Sequence, residues 1–356
     1  MINVLVVDDS ALVRKLIGKV FAEQPDFGVS FARNGKEALA SIAASVPDVV
    51  TLDVHMPEMD GLACLDRIMI EHPCPVIMVS SMTAEGANAT LEALRLGAVD
   101  FVAKPTGAVS LRIDEMAPEL VQKVRQAAGV RLKRSLRLRD RVRHRMSGNV
   151  QPVAFRTPKV TRAAATGDGM VLVGVSTGGP PALEALLAGL PASFPWPILV
   201  AQHMPETFTG PLARRLDGLC EVKVTEVRKP TVLEPGCAYI GRGDADIIVS
   251  RRGGGLVAMA APSTVDYPWH PSADRLVRSA LNHMAASQLI GVLMTGMGND
   301  GAEAMTLLQA KGGRTIAESE ETAIVWGMPG ELVKAGGADF VVPLPGIAAQ
   351  LQKLVP

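Results

Sequence analysis

Met170–Val171–Leu172–Val173–Gly174–Val175–Ser176–Thr177–Gly178–Gly179–Pro180 is an apolar run that stops abruptly in a Gly-x-Ser-x-Gly cluster. A helix-forming segment, Pro181 to Leu190, follows it. The order predicts a buried strand that delivers Ser176 to a tight turn, as in a nucleophile elbow. Glycines give the turn room, and the next helix offers free N–H groups to an oxyanion. The same residues also fit a phosphate-binding loop or a plain strand-to-helix turn. The surrounding chain has to decide.

Downstream the pattern repeats. Ile198–Ala201 reads as a strand ending in Gln202–His203–Met204–Pro205, with a helix from about Glu206 to Leu216. Shorter β-rich pieces run from Val222 to Ala260, among them Tyr239–Ile240 and Ile247–Ser250. A helix near Ser272–Ala285 leads into the strand Leu289–Thr295, which ends in Gly296–Met297–Gly298–Asn299–Asp300–Gly301. A helix from about Glu303 to Lys311 follows, and Thr315–Ala317 and Phe340–Pro343 add strand. Apolar strands with glycine-rich carboxyl ends predict a parallel sheet.

A nucleophilic serine needs a base, and the base an orienting acid. The order common in hydrolases, Ser then Asp then His, would call on His270 or His283. His270 sits between Trp269 and Pro271, and His283 falls inside the expected helix. Neither closes a strand. His203 and Asp300 both follow strands, on the rim that carries Ser176. Triads are defined by geometry rather than by chain order, which favours Ser176, His203 and Asp300.

Upstream, residues 2–7 form a short β-branched run that stops at Asp8–Asp9–Ser10, and Leu12, Val13, Leu16, Ile17, Val20 and Phe21 then recur at helical spacing. Ser10 fits an N-cap. Further strands are expected at Val29–Ala32, Val49–Asp53, Pro75–Ser80 and Phe101–Ala103, with helices at Lys36–Ser45, Asp60–Glu71, Ala84–Leu96 and about Glu115–Ala128. Five βα units predict a doubly wound sheet with its functional groups at the carboxyl ends of the strands. Those ends carry Asp8, Asp9, Asp53, Ser80 and Lys104. Three converging carboxylates repel unless a cation joins them, and hard oxygen ligands suit Mg²⁺. An ammonium and a hydroxyl beside them suit a phosphoryl group. Helix capping explains any one of these acids but not the set.

Between the two halves the composition changes. Arg131, Lys133, Arg134, Arg137, Arg139, Arg141, Arg143 and Arg145 crowd one segment with Asp140 as its only acid, followed by Pro152 and Pro158. The boundaries expected are 1–125, a basic linker over 126–168, and 169–356. Such a run reads as a solvating linker rather than a nucleic-acid patch, and no helix-turn-helix pattern follows it. Lys plus Arg number 36 against 36 Asp plus Glu, so no global charge points to nucleic acid or a membrane. Hydrophobic residues make up 48% of the 356, enough for two cores. Cys64, Cys74, Cys220 and Cys237 show neither zinc spacing nor a disulfide framework. No signal peptide or membrane-length apolar run is evident, so a cytoplasmic protein without membrane insertion is expected.

Val6–Val7–Asp8–Asp9–Ser10, Leu52–Asp53 through Asp60–Gly61, Val79–Ser80–Ser81 and Ala103–Lys104–Pro105 resemble the signature of a response-regulator receiver domain. The resemblance implies a flavodoxin-like fold with Asp53 as the phosphoryl acceptor from a histidine kinase. Asp8 and Asp9, with Asp53, would hold Mg²⁺; Ser80 and Lys104 would contact the phosphoryl oxygens, and Phe101 would repack on activation. His55, two places after the acceptor, bears on the lifetime of the phosphoryl group.

In the second half, Gly174 to Gly179, Ala201 to Pro205 with Phe208–Thr209, Pro271 to Asp274, Thr295 to Ala302, and Ala317–Glu318 through Gly327–Met328–Pro329 resemble the catalytic domain of chemotaxis protein-glutamate methylesterases. The resemblance implies a Rossmann-like α/β domain with Ser176 as nucleophile, His203 as base and Asp300 as orienting acid. It also implies oxyanion donors at the backbone N–H groups of Thr177 and Met297. The implied substrates are γ-glutamyl methyl esters on methyl-accepting chemoreceptors, with glutamine deamidation as a second activity and no cofactor for the esterase chemistry. An unphosphorylated receiver would restrain the Ser176 rim until Asp53 is phosphorylated. The rivals are a non-catalytic receptor-binding adaptor, the same chemistry in a non-chemotaxis pathway, and a receiver-controlled DNA binder.

Overall fold

The computed structural model describes residues 1–105, 109–130, 169–253 and 255–355. Nearly all of the expected linker, including its arginines, lies outside the described residues. The chain divides into two compact units, each with its own parallel sheet.

Through the first 127 residues β1 (Ile2–Val7), α1 (Ala11–Ala22), β2 (Phe27–Ala32), α2 (Gly35–Ala44), β3 (Val49–Asp53), α3 (Gly61–Glu71), β4 (Val76–Ser81), α4 (Ala84–Leu96), β5 (Asp100–Lys104) and α5 (Val109–Ala127) alternate strictly. The strand order is β2-β1-β3-β4-β5, all parallel. Ser10, Asn34 and Asp60 cap the first three helices, their side chains accepting from the N–H groups of Val13, Glu37 and Ala63. Each cap spares the helix an unpaired N–H and is worth about 1 kcal/mol. One face of the sheet buries Val4, Val6, Ile77 and Val102 against Ile17, Phe21, Leu120 and Val124. Helix α5 starts earlier than its apolar spacing predicts, at Val109.

In the second unit β6 (Met170–Val175), α6 (Gly179–Ala188), β7 (Ile198–Gln202), α7 (Glu206–Leu219), β8 (Lys223–Val227), β9 (Thr231–Val232), β10 (Cys237–Gly241), β11 (Ala245–Arg252) and β12 (Gly255–Pro262) come first. After them run α8 (Ala273–Leu281), β13 (Leu289–Leu293), α9 (Ala302–Ala310), β14 (Arg314–Glu318), α10 (Met328–Lys334), β15 (Phe340–Val342) and α11 (Leu344–Leu354). Seven parallel strands take the order β15-β14-β13-β6-β7-β10-β8. The doubly wound expectation holds for this sheet, with one addition. β9, β11 and β12 form a separate antiparallel sheet, in which the β11–β12 register runs from Ala245↔Pro262 to Arg252↔Gly255. The β-rich stretch after Val222 therefore serves two sheets.

Strand β6 is wholly buried and lies between β13 and β7. From it the chain builds outward on one side through β7, β10 and β8, and returns on the other through β13, β14 and β15. The order thus reverses beside β6, and the crevice above such a reversal is where open α/β sheets place their ligands. Gly174 lets this strand be approached closely: a Cβ there would stand 2.7 Å from the Ala273 Cβ and 2.8 Å from Leu293 Cδ1.

Candidate active site

Ser176 follows β6, His203 follows β7, and Asp300 lies between β13 and α9, so all three stand at the carboxyl edge of one sheet. The His203 N–H donates to Val175 O at 3.1 Å, and the Ser176 N–H to Thr295 O at 3.0 Å. The turn after Ser176 differs from a strained elbow. Among the described residues only Glu58 and Asp244 are non-glycines with positive φ; here the left-handed position falls on Gly178, at φ 75°. Glycine bears that conformation at no steric cost.

His203 Nε2 lies 2.8 Å from Asp300 Oδ2. A carboxylate can only accept, so Nε2 carries the proton and the neutral ring keeps its lone pair on Nδ1. That Nδ1 is buried and has no hydrogen-bond partner. A buried acceptor without a partner is costly, and such atoms gather where a reaction uses them.

Asp300 is 2% exposed and fully occupied. Besides His203 it accepts from Ser272 Oγ at 2.8 Å, Ala273 N at 2.6 Å and Asp274 N at 3.1 Å. Those donors form the N-terminus of α8, where backbone N–H groups and the helix dipole favour an anion. Burial pushes the Asp300 carboxyl up, but the pull of His203 and the backbone donors outweighs it, and the group sits below the usual carboxylate range. The acid is thus held ionised and aimed at the imidazole. Trp269, half-buried, lies parallel to the His203 ring, with centroids 6.1 Å apart and planes 5° apart.

The competing histidines have other partners. His270 Nδ1 lies 2.9 Å from Asp246 Oδ1, and the same buried carboxylate takes Arg275 NH1 at 2.6 Å and Ser272 N at 2.7 Å. His283 is not inside a helix as expected: α8 ends at Leu281, and the His283 N–H donates to Ala280 O in the turn beyond. Thr177 opens the turn into α6. Met297 follows Gly296, where a Cβ would stand 2.8 Å from the Ser176 Cβ, so the Met297 loop lies against the serine.

In the first unit, Asp8, Asp9 and Asp53 bring one carboxylate oxygen each to within 4.8 Å of one another, Asp8 and Asp53 buried and Asp9 exposed. Lys104 Nζ bridges Asp8 and Asp53 at 2.9 Å each. Burial, and then the nearby charge of Asp8, raise the Asp53 carboxyl above its ordinary range against the pull of Lys104. Burial pushes the Lys104 ammonium down, yet the two carboxylates more than reverse it. Two buried anions and one cation leave negative charge to neutralise, and all-oxygen donors suit a divalent cation. Ser80 is fully buried on β4, the strand next to Asp53. Phe101 is buried, with the Lys123 ammonium 5.1 Å from its ring centre. His55 is exposed.

Sequence reasoning named Ser176, His203 and Asp300 but not what holds them. Ser272, Ala273 and Asp274 cradle Asp300, and Gln202 Nε2 joins Ser176 O and His203 O at 3.0 and 3.1 Å. The first had a legible signal, a serine cap opening a helix; the second had none, because an apolar strand's last residue does not reveal its partners.

Residues 171–351 match the family described as CheB methylesterase, and residues 4–113 match the response regulator receiver domain. The protein-glutamate methylesterase/protein-glutamine glutaminase 2 of Rhodopseudomonas palustris is 56% identical over 354 residues, spanning 98% of this chain and 97% of that protein. Protein-glutamate methylesterase/protein-glutamine glutaminase 3 of Rhodospirillum rubrum is 51% identical, over 99% and 95%. The crystal structure of the Thermotoga maritima CheB methylesterase catalytic domain is similar at TM-score 0.51 and 37% identity, covering 54% of this chain and all of that one. The chain belongs to the CheB methylesterase family, with a response regulator receiver domain before the catalytic one.

Proposed function

We propose that this protein hydrolyses γ-glutamyl methyl esters on methyl-accepting chemoreceptors, and by the same acyl chemistry deamidates receptor glutamines. The observation that carries the reading is the His203–Asp300 bond at 2.8 Å, which leaves His203 Nδ1 bare on the rim of Ser176. Ser176 Oγ attacks the ester carbonyl while Nδ1 takes its proton. The oxyanion forms against the backbone N–H groups of Thr177 and Met297. The C–O bond to methoxide breaks, and His203 returns the proton so that methanol leaves. Water then adds to the acyl-enzyme with His203 again as base, and the glutamate carboxylate departs as Ser176 regains its proton. For glutamine the leaving group is ammonia.

The receiver supplies the control. Asp53 accepts a phosphoryl group from a histidine kinase, and Ser80 and Lys104 contact its oxygens. Asp8, Asp9 and Asp53 would hold Mg²⁺, which when bound offsets the charge of carboxylates and phosphoryl oxygens. Phosphorylation adds about −1.5 to −2 charge, and Phe101 would repack in response. In this reading the unphosphorylated receiver restrains the Ser176 rim, the protein works in the cytoplasm, and neither nucleic acid nor membrane insertion has a part. The domain bounds 1–125, 126–168 and 169–356 belong to the same proposal.

A fluorophosphonate probe tests the nucleophile directly. Mass spectrometry should find the adduct on Ser176 alone, and none in Ser176→Ala. Labelling elsewhere, or equal labelling of both proteins, would contradict the assignment.

A further inference from the structure

We infer that Gln202 and Thr295 are positioning residues of the acyl-transfer site, fixing the direction of the Thr177 N–H by holding the carbonyl on each side of it. The inference deepens the reading of Ser176 as nucleophile and rests on it.

A trans peptide is planar, with its C=O and N–H pointing oppositely. The Thr177 N–H shares its plane with the Ser176 carbonyl, so whatever holds that oxygen also aims the N–H. Two donors hold it: Gln202 Nε2 at 3.0 Å and Gly179 N at 2.8 Å. The next carbonyl along, Thr177 O, accepts from Thr295 Oγ1 at 2.9 Å. Both peptide planes around Thr177 are thereby fixed, and its N–H is turned away from Gln202.

Each side chain also reaches the rest of the machinery. Gln202 Nε2 places its second hydrogen on His203 O at 3.1 Å, coupling the serine turn to the base. Thr295 accepts the Ser176 N–H on its carbonyl at 3.0 Å and the Val325 N–H on its hydroxyl at 3.1 Å, while its own N–H goes to Glu318 Oε2 at 2.8 Å. Thr295 also begins the Gly296–Met297 loop. Both residues are 1% exposed, so no solvent competes for these bonds.

A merely structural glutamine would pair both ends of its amide. Here Oε1 is buried without a partner, while Nε2 serves two carbonyls. The position uses the amide for its N–H groups and tolerates the orphaned oxygen.

The test uses the full chain and three variants, Gln202→Met, Thr295→Val and Thr295→Ser. Methanol release from methylated receptor gives kcat and KM. Affinity for an alkylboronic acid, whose tetrahedral adduct on a serine resembles the transition state, reports the oxyanion site separately. Losing one oxyanion donor costs about 10²–10³ in kcat, so a misaimed one should cost roughly 10–100-fold. Gln202→Met and Thr295→Val should lose that factor in kcat and the same factor in boronate affinity at little changed KM. Thr295→Ser should recover most of what Thr295→Val loses. An unchanged kcat, a kcat loss without loss of boronate affinity, or equal losses in Thr295→Ser and Thr295→Val would overturn the proposal. If Gln202→Met fails to fold by circular dichroism, the Thr295 pair decides alone. A wild-type protein that binds no boronate overturns the Ser176 assignment and this proposal with it.

Discussion

The two nitrogens of His203 differ in their surroundings: Nε2 bonds Asp300, and Nδ1 is buried without a hydrogen-bond partner. The placement of His203 was legible, because only it among the histidines weighed closes a strand on the rim that carries Ser176. Which nitrogen does what was not, since a sequence carries no ring orientation. Asp300→Asn would offer Nε2 a side chain that can donate as well as accept, and lose the tautomer. We expect kcat to fall by about 10⁴-fold with KM little changed, as when a triad acid is amidated. A stability profile adds a sign. Because the Asp300 carboxyl is held below its ordinary range, its stabilisation is complete at neutral pH and is lost as the pH falls through that lowered value. Asp300→Asn should flatten this acid limb in urea titrations. Asp53 works in the opposite sense: its carboxyl is raised, so the stabilising contribution belongs to low pH and is gone once the pH rises through the raised value. At neutral pH, Asp53→Asn should therefore raise the melting temperature of the metal-free receiver. Mg²⁺ should stabilise the wild type, by about 2.7 kcal/mol at a hundred times its Kd, and stabilise Asp53→Asn far less. Scanning calorimetry with and without the ion measures both.

At the scale of elements, helix α8 holds the Asp300 carboxylate at its N-terminus and packs Leu276, Val277 and Ala280 into the core. Its cap, Ser272, accepts from Arg275 N at 3.2 Å and donates to Asp300 at 2.8 Å. Ser272→Ala should destabilise the protein by about 1–2 kcal/mol through the lost cap, and kcat should fall as well because Asp300 loses a donor. A melting temperature lowered with kcat unchanged would show the serine to be a cap only. Most strands and helices were readable, because apolar periodicity was strong and Ser10 and Asp60 marked helix starts. Helices α10 and α11 were not. They open on Met328–Pro329–Gly330 and Leu344–Pro345–Gly346, and Pro-Gly reads as a turn. In a first helical turn, however, proline lacks only an N–H that would be unpaired anyway. The antiparallel sheet also escaped, since short β-rich pieces do not reveal which partner they choose.

For the whole molecule, two sheets of one class carry two different chemistries, and the acids and the serine each lie at the carboxyl ends of parallel strands. That division was legible because each rim gathers a different set: carboxylates with a lysine on one, serine, histidine and aspartate on the other. The coupling between them was not, because it depends on surfaces rather than motifs. No described helix is long and apolar enough to cross a membrane. Fully throwing a two-state switch takes about 5.5 kcal/mol of differential stabilisation; we expect phosphorylation to stimulate a measurable basal rate rather than create one. The decisive measurement is methanol release from radiolabelled methylated receptor by wild type, Asp53→Asn and Ser176→Ala, each with and without a small phosphodonor. The account predicts stimulated release by wild type, an unstimulated basal rate in Asp53→Asn, and loss of several orders of magnitude in Ser176→Ala under both conditions, because triad members act as a unit. Release by Ser176→Ala at the wild-type rate would contradict it.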